Sequence, residues 1–157
     1  LLFIYAVNTM ENGQDLFAFG NIVMAIAQVM MSFIYVYLKK VVQDNSIINI
    51  GAVLISGGLL MLFFWSSKYI YCVSMLLLGS GMAIRQLISE NVLIAKFKEE
   101  KLSKIVSVYN SLISLAYLVG YMLSAFQPYL TAVKVYLFIG GFLLIIPVWI
   151  NMKRSDP

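Results

Sequence analysis

The sequence has 157 residues, of which 62% are hydrophobic and 11% charged, with a formal net charge of +4. Soluble domains are about 45–50% apolar and about 25% charged, so this composition excludes a soluble globule and indicates a polytopic membrane protein, all-α and built as a bundle of transmembrane helices. With no histidine and a single cysteine, haem ligation by histidine, His-based zinc sites, Ser–His and Cys–His nucleophiles and an internal disulfide are all excluded within the chain, and neither metal nor cofactor is expected.

A bilayer's hydrocarbon core takes about 20 helical residues to cross. Leu1–Met10 supplies half of that. No basic segment precedes it as a secretory signal requires, so it reads as the end of a helix that begins upstream, and the chain as a fragment. It stops at the polar break Thr9–Asp15, which holds Asn12-Gly13. The first full span is expected over 16–38, closed by Lys39-Lys40, and the second over 47–65. A third follows over 69–95 and a fourth over 102–126, stopped by Gln127-Pro128 because proline cannot continue the hydrogen-bond ladder. The last is expected over 133–152, with Pro147 inside it. Residues 1–157 thus form a single helical domain of five full spans and a partial one. Cys72, in an apolar run, is read as a small buried residue.

Basic residues set the orientation. Lys39, Lys40, Lys96, Lys98, Lys101, Lys104, Lys153 and Arg154 fall on one side; the other holds Lys68 and Lys134 with Glu11 and Asp15. The positive-inside rule makes the first side cytoplasmic, so the loops at 39–46 and 96–101 and the C-terminus face the cytoplasm of a multi-pass protein of the cell membrane. The same placement accounts for the net charge without nucleic acid as a partner.

The spans differ in polarity. Those at 47–65 and 133–152 are almost wholly apolar, each with a glycine pair (Gly57-Gly58, Gly140-Gly141) followed by Trp65 or Trp149, a pattern compatible with duplicated three-helix units. The first full span carries Asn21, Ala25, Gln28, Ser32 and Tyr35 on one narrow arc, and the fourth carries Ser107, Asn110, Ser111, Ser114 and Tyr121 on one face, with Ala116 and Gly120 opposite. Such stripes either line a cavity or glue helices together.

The third span contains Arg85, Gln86, Glu90 and Asn91. A charge in hydrocarbon costs several kcal/mol and is kept only with a partner or a cavity. At 1.5 Å per residue, Arg85 lies about 16 Å inward from Lys96, near the midplane, and Glu90 about 9 Å inward. Five residues apart, they are about 140° apart around the helix and do not form an internal ion pair. Arg85 either holds an anionic substrate group or a moving carboxylate, or pairs permanently with an acid outside this chain. Glu90 is either a protonatable coupling group or an anchor for the cytoplasmic end.

The stretch Leu76–Ala125, LLLGSGMAIRQLISENVLIAKFKEEKLSKIVSVYNSLISLAYLVGYMLSA, resembles the major facilitator superfamily: a Gly-rich span, a short basic loop, then a span with a small or polar beginning and a glycine near its end. The resemblance covers the whole chain as five and a half helices of one six-helix half. It implies a twelve-helix fold in which the first, second, fourth and fifth helices of each half approach the cavity and the third and sixth sit outside. The family's Gly- and Asp-Arg-containing loop after the second helix would fall at Tyr35–Ile47; here it reads YVYLKKVVQDNSI, with the basic pair alone. That loss points to the C-terminal half, with an N-terminal half as the missing partner.

The expected function is secondary transport of a small solute by alternating access, proton-coupled, with Arg85, Gln86, Asn21, Gln28, Ser32, Asn110, Ser114 and Tyr121 lining the cavity and Glu90 coupling. A non-transporting scaffold subunit of a larger complex is the alternative. An intramembrane enzyme lacks an evident catalytic pair, since Glu90 and Asp44 lie far apart.

Overall fold

The computed structural model describes residues 2–9, 12–96, 99–125 and 133–143. Their regular structure is helical throughout: α1 Leu2–Thr9, α2 Gly13–Val41, α3 Asp44–Phe64, α4 Lys68–Lys96 and α5 Glu99–Ala125, followed by α6, Val133–Leu143. Three of them, α2, α3 over Ser46–Phe64 and α4 over Lys68–Asn91, are long and apolar enough to cross a bilayer, the mark of an integral membrane protein. Both α2 and α4 have 29 residues, about 43 Å of helix against about 30 Å of hydrocarbon, so each runs into its polar flanks. Gln127-Pro128, Pro147, Trp149 and the C-terminal basic residues lie outside the described residues.

Local chemistry sets the turns. Asn12 takes a left-handed conformation, φ 56°, which asparagine tolerates because its short polar side chain bonds locally. Gly13 then lies so close to the backbone of Ala6 and Val7 that no Cβ would fit. α2 ends on Lys39 and Lys40, cations that complement the C-terminal end of the helix dipole. The Gln43 carbonyl accepts the N–H groups of Ser46 and Ile47 and so opens α3.

α4 is the central helix, packed along α2 on one side and α3 on the other, while α2 and α3 touch each other lightly. Toward α2 it presents Tyr71 and Met75 against Gly20, Gly79 against the Met24 carbonyl and Ala27, and Asn91 against Tyr35. These positions lie on one row of every fourth residue, the ridge along which helices interdigitate. Toward α3 it presents Ser74 and Leu78 to Gly58, and Gly81 and Ile84 to Gly51. Small residues at both seams let the backbones approach, since lipid supplies no hydrophobic drive for helices to associate. A Cβ on Gly81 would stand 2.7 Å from the Gly51 carbonyl oxygen.

Two apolar clusters result. Near the α3–α4 turn, Tyr5, Ile55, Leu62, Tyr71, Met75, Leu78, Val133 and Leu137 pack together; toward the α2–α3 turn, Tyr35, Ile47, Ile84 and Ile88 do so. α6 rests on α3, with Gly141 against Leu60 and the Ser56 carbonyl and the Phe63 and Phe138 rings 4.9 Å apart. Buried Ser56 donates to the Ala52 carbonyl at 2.9 Å, whereas the buried Tyr71 Oη and Ser74 Oγ have no partner among the described residues.

Candidate groove between α2, α4 and α5

α5 leans on α4 far less than α2 and α3 do, and a groove of about 540 Å³ remains between α2, α4 and α5. α4 lines it with Met82, Arg85, Gln86, Ser89 and Glu90; α2 adds Met24 and Gln28, α5 adds Tyr109, Asn110 and Ile113, and Ile55 of α3 closes the floor. At 100° per residue, Arg85 and Glu90 mark the two edges of the arc that α4 turns to the groove, about 140° apart, with Met82, Ser89 and Gln86 between them. The spacing that denies them an ion pair with each other therefore puts both charges on one cavity.

Arg85, Gln86, Glu90 and Asn110 are exposed in the groove, and Gln28 and Ser89 are half-buried. Gln86 Nε2 donates to Glu90 Oε1 at 3.1 Å, the i, i+4 spacing at which side chains on a helix meet. Its amide carbonyl and the second Glu90 oxygen are left as acceptors facing the groove. Among the described residues Arg85 has no ion-pair partner and Gln28 and Asn110 have no side-chain hydrogen bond. One edge of the groove thus offers a cationic donor fork and the other an anionic acceptor pair, with the methionines and isoleucines supplying an apolar lining.

The stripes divide. On α2, Gln28 reaches the groove. Tyr35 is buried at the α4 seam, where its Oη accepts a hydrogen bond from Asn91 Nδ2 at 3.1 Å; there the stripe is interhelical glue. Asn21 is exposed two turns from Gln28 and does not line the groove. Exposed Ser32 donates to the Gln28 carbonyl of its own helix at 2.9 Å and does not line it either. The rest of α2, with Phe19, Ile22, Ile26 and Phe33, is an exposed apolar face, suited to lipid. On α5, Asn110 is in the groove while Ser107, Ser111 and Ser114 are exposed outside it, about 150° around the helix from its Tyr109–Ile113 side. The side chain of Tyr121 lies outside the described ones.

Tyr109, Ile113, Met24 and Met82 line the groove without belonging to either polar stripe. Ser89 shares its helix face with Arg85, a spacing already visible in the sequence. Tyr109 carried no such signal, because which side of α5 meets α4 is decided by packing and not by where its hydroxyls lie. No protein-family model, no curated protein and no solved structure matches the chain.

Proposed function

We propose that this chain is one six-helix half of a secondary transporter of the major facilitator type, which moves a small solute by alternating access. The observation that carries the reading is Arg85: an exposed cation midway along a membrane-length helix, facing a groove of about 540 Å³ and without an ion-pair partner among the described residues. Intramembrane charges that face a cavity and have no protein partner are a mark of solute and ion paths. The arrangement around it supports the same reading, since the second, fourth and fifth helices bound the groove while α6 packs behind it on α3. In this reading α5 and the segment from 133 onward complete five spans, and a second half closes the groove from the other side. The lysine-rich turns are cytoplasmic, and Glu90 carries the proton that couples transport to a gradient.

A scaffold reading draws on the Tyr35–Asn91 bond, where polar residues serve packing alone. Cysteine accessibility separates the two. In the intact protein with Cys72 replaced by alanine, Arg85→Cys, Gln28→Cys and Asn110→Cys should react with a water-soluble thiol reagent, at rates that change when an ion gradient is imposed. Ser114→Cys should follow a different pattern, being outside the groove. Protection of all three groove positions in every state excludes an aqueous path and leaves the scaffold.

A further inference from the structure

We infer that the groove receives a zwitterion: a solute with a carboxylate for Arg85, an ammonium for Glu90 once that residue has released its proton, and a compact apolar body between. The assignment rests on the transport reading and names the class of solute that the same site takes.

The charges argue it first. Arg85 and Glu90 line one groove and sum to zero, yet the five-residue spacing keeps them from neutralising each other. A solute bearing one charge would satisfy one edge and leave the other ionised group unpaired in a site flanked by hydrocarbon, where pairing matters most. A neutral solute would leave both so. One that carries both signs satisfies both edges and keeps the loaded site neutral.

The hydrogen-bond inventory says which end takes which group. Arg85 presents a planar donor fork, matched to the two oxygens of a carboxylate. At the other edge Gln86 spends an amide N–H on Glu90 at 3.1 Å. Its carbonyl and the second Glu90 oxygen are left unspent, two acceptors for an ammonium that has three protons to donate. Between them α4 rises about 7.5 Å, and Met24, Ile55, Met82 and Ile113 supply the apolar wall. About 540 Å³ sits within the roughly 300–1,000 Å³ of small-molecule pockets. Amino acids whose ammonium and carboxylate stand at opposite ends of a short apolar chain have this charge pattern and size.

The test uses matched triplets. Aminopentanoate, aminohexanoate and aminoheptanoate, each with its amine at the far end of the chain, are compared with the deamino carboxylate and the decarboxylated amine of the same skeleton. The readouts are thermal stabilisation of the intact protein in detergent and uptake into proteoliposomes. At least one zwitterion should act at a concentration about tenfold or more below both of its singly charged analogues. Glu90→Gln should abolish discrimination against the carboxylate analogue, and Arg85→Gln discrimination against the amine. Glu90→Gln is isosteric, Arg85→Gln shortens a side chain on an exposed face, and gel filtration confirms that the variants fold. A carboxylate analogue that matches its parent amino acid in every triplet overturns the assignment, as does silence from all three zwitterions. So does Glu90→Gln leaving the ratios untouched. If carboxylate uptake persists in any of these cases, transport stands and only the zwitterion falls; if the Arg85→Cys variant never reacts with the thiol reagent, the transport reading itself has failed.

Discussion

The two surfaces of α4 treat polar groups in opposite ways. Toward α2 and α3 they are spent inside the fold or left idle: Asn91 donates to Tyr35 at 3.1 Å, and the Tyr71 and Ser74 hydroxyls are buried with no partner among the described residues. Toward α5, Arg85, Gln86, Ser89 and Glu90 line open space. On the first surface what matters is how closely backbones approach; on the second, which charges stand free. Polarity on this helix thus goes into packing or into the lining of open space, and the neighbouring helix decides which.

The sharpest way to break that contrast is to enlarge the seam. A Cβ on Gly79 would overlap the Met24 backbone carbonyl, so Gly79→Leu should force α2 off α4 at a cost of about 3 kcal/mol or more. Most of the protein should then be lost as aggregate on gel filtration in detergent. Gly57 is the control: nothing lies within 4 Å of a Cβ placed there, and Gly57→Ala should leave the elution profile and thermal midpoint unchanged. Equal damage from both would mean that the seam is not where the fold is decided.

The groove surface should respond in the opposite sense. Arg85→Ala removes an exposed side chain, so stability should move by no more than about 0.5 kcal/mol. Uptake of the solute should nonetheless fall by about a hundredfold, the cost of losing a charge-assisted anchor. Wild-type uptake with a lowered thermal midpoint would make Arg85 a structural residue and reverse the comparison.

The helical class was legible in the sequence; the seams and the groove were less so. The helical class and the membrane-spanning length of three helices follow from hydropathy, because a backbone in lipid must satisfy its own hydrogen bonds. Arg85, Gln86 and Glu90 stood out for the same reason, as groups too costly to keep idly. Sequence polarity did not predict that Arg85 and Glu90 would share a cavity: a 140° separation reads as divergence until α2 and α5 are in place on either side. Nor did it separate Gln28, in the groove, from Tyr35, in the seam, one stripe and two turns apart. That distinction comes from α2 following the fourth-residue ridge of α4, a property of the helix pair. The expected face of α5 divides as well, with Asn110 in the groove and Ser107, Ser111 and Ser114 outside it.

A finer test lies within the seam. Asn91→Ala deletes the donor to Tyr35; interhelical bonds of this kind are worth about 0.6 kcal/mol on average and at most about 1.7. The loss should appear as a small drop in thermal midpoint with uptake intact. In a double-mutant cycle, Tyr35→Phe should add little once Asn91 is alanine. Fully additive losses would show that the two residues stabilise the seam independently and that their bond contributes nothing.

The smallest expected effect has the opposite sign. Tyr71 is fully buried; its ring packs against the Gly20 backbone and stacks on Tyr5 with centroids 6.5 Å apart, but its Oη has no partner among the described residues. Burying a hydroxyl without a hydrogen bond is unfavourable, while the ring contacts survive its removal. Tyr71→Phe should therefore be neutral or stabilise the protein by up to about 1 kcal/mol, whereas Tyr35→Phe, which removes a paired hydroxyl from the same seam, should destabilise it. The two substitutions are chemically identical, so opposite signs in one thermal assay would trace the difference to the partner each tyrosine has. A destabilising Tyr71→Phe would mean that the hydroxyl is satisfied after all, by a buried water or, if the chain is one half of a transporter, by a helix of the other half. The seam at its α1 end would then be part of an interface and not a closed core.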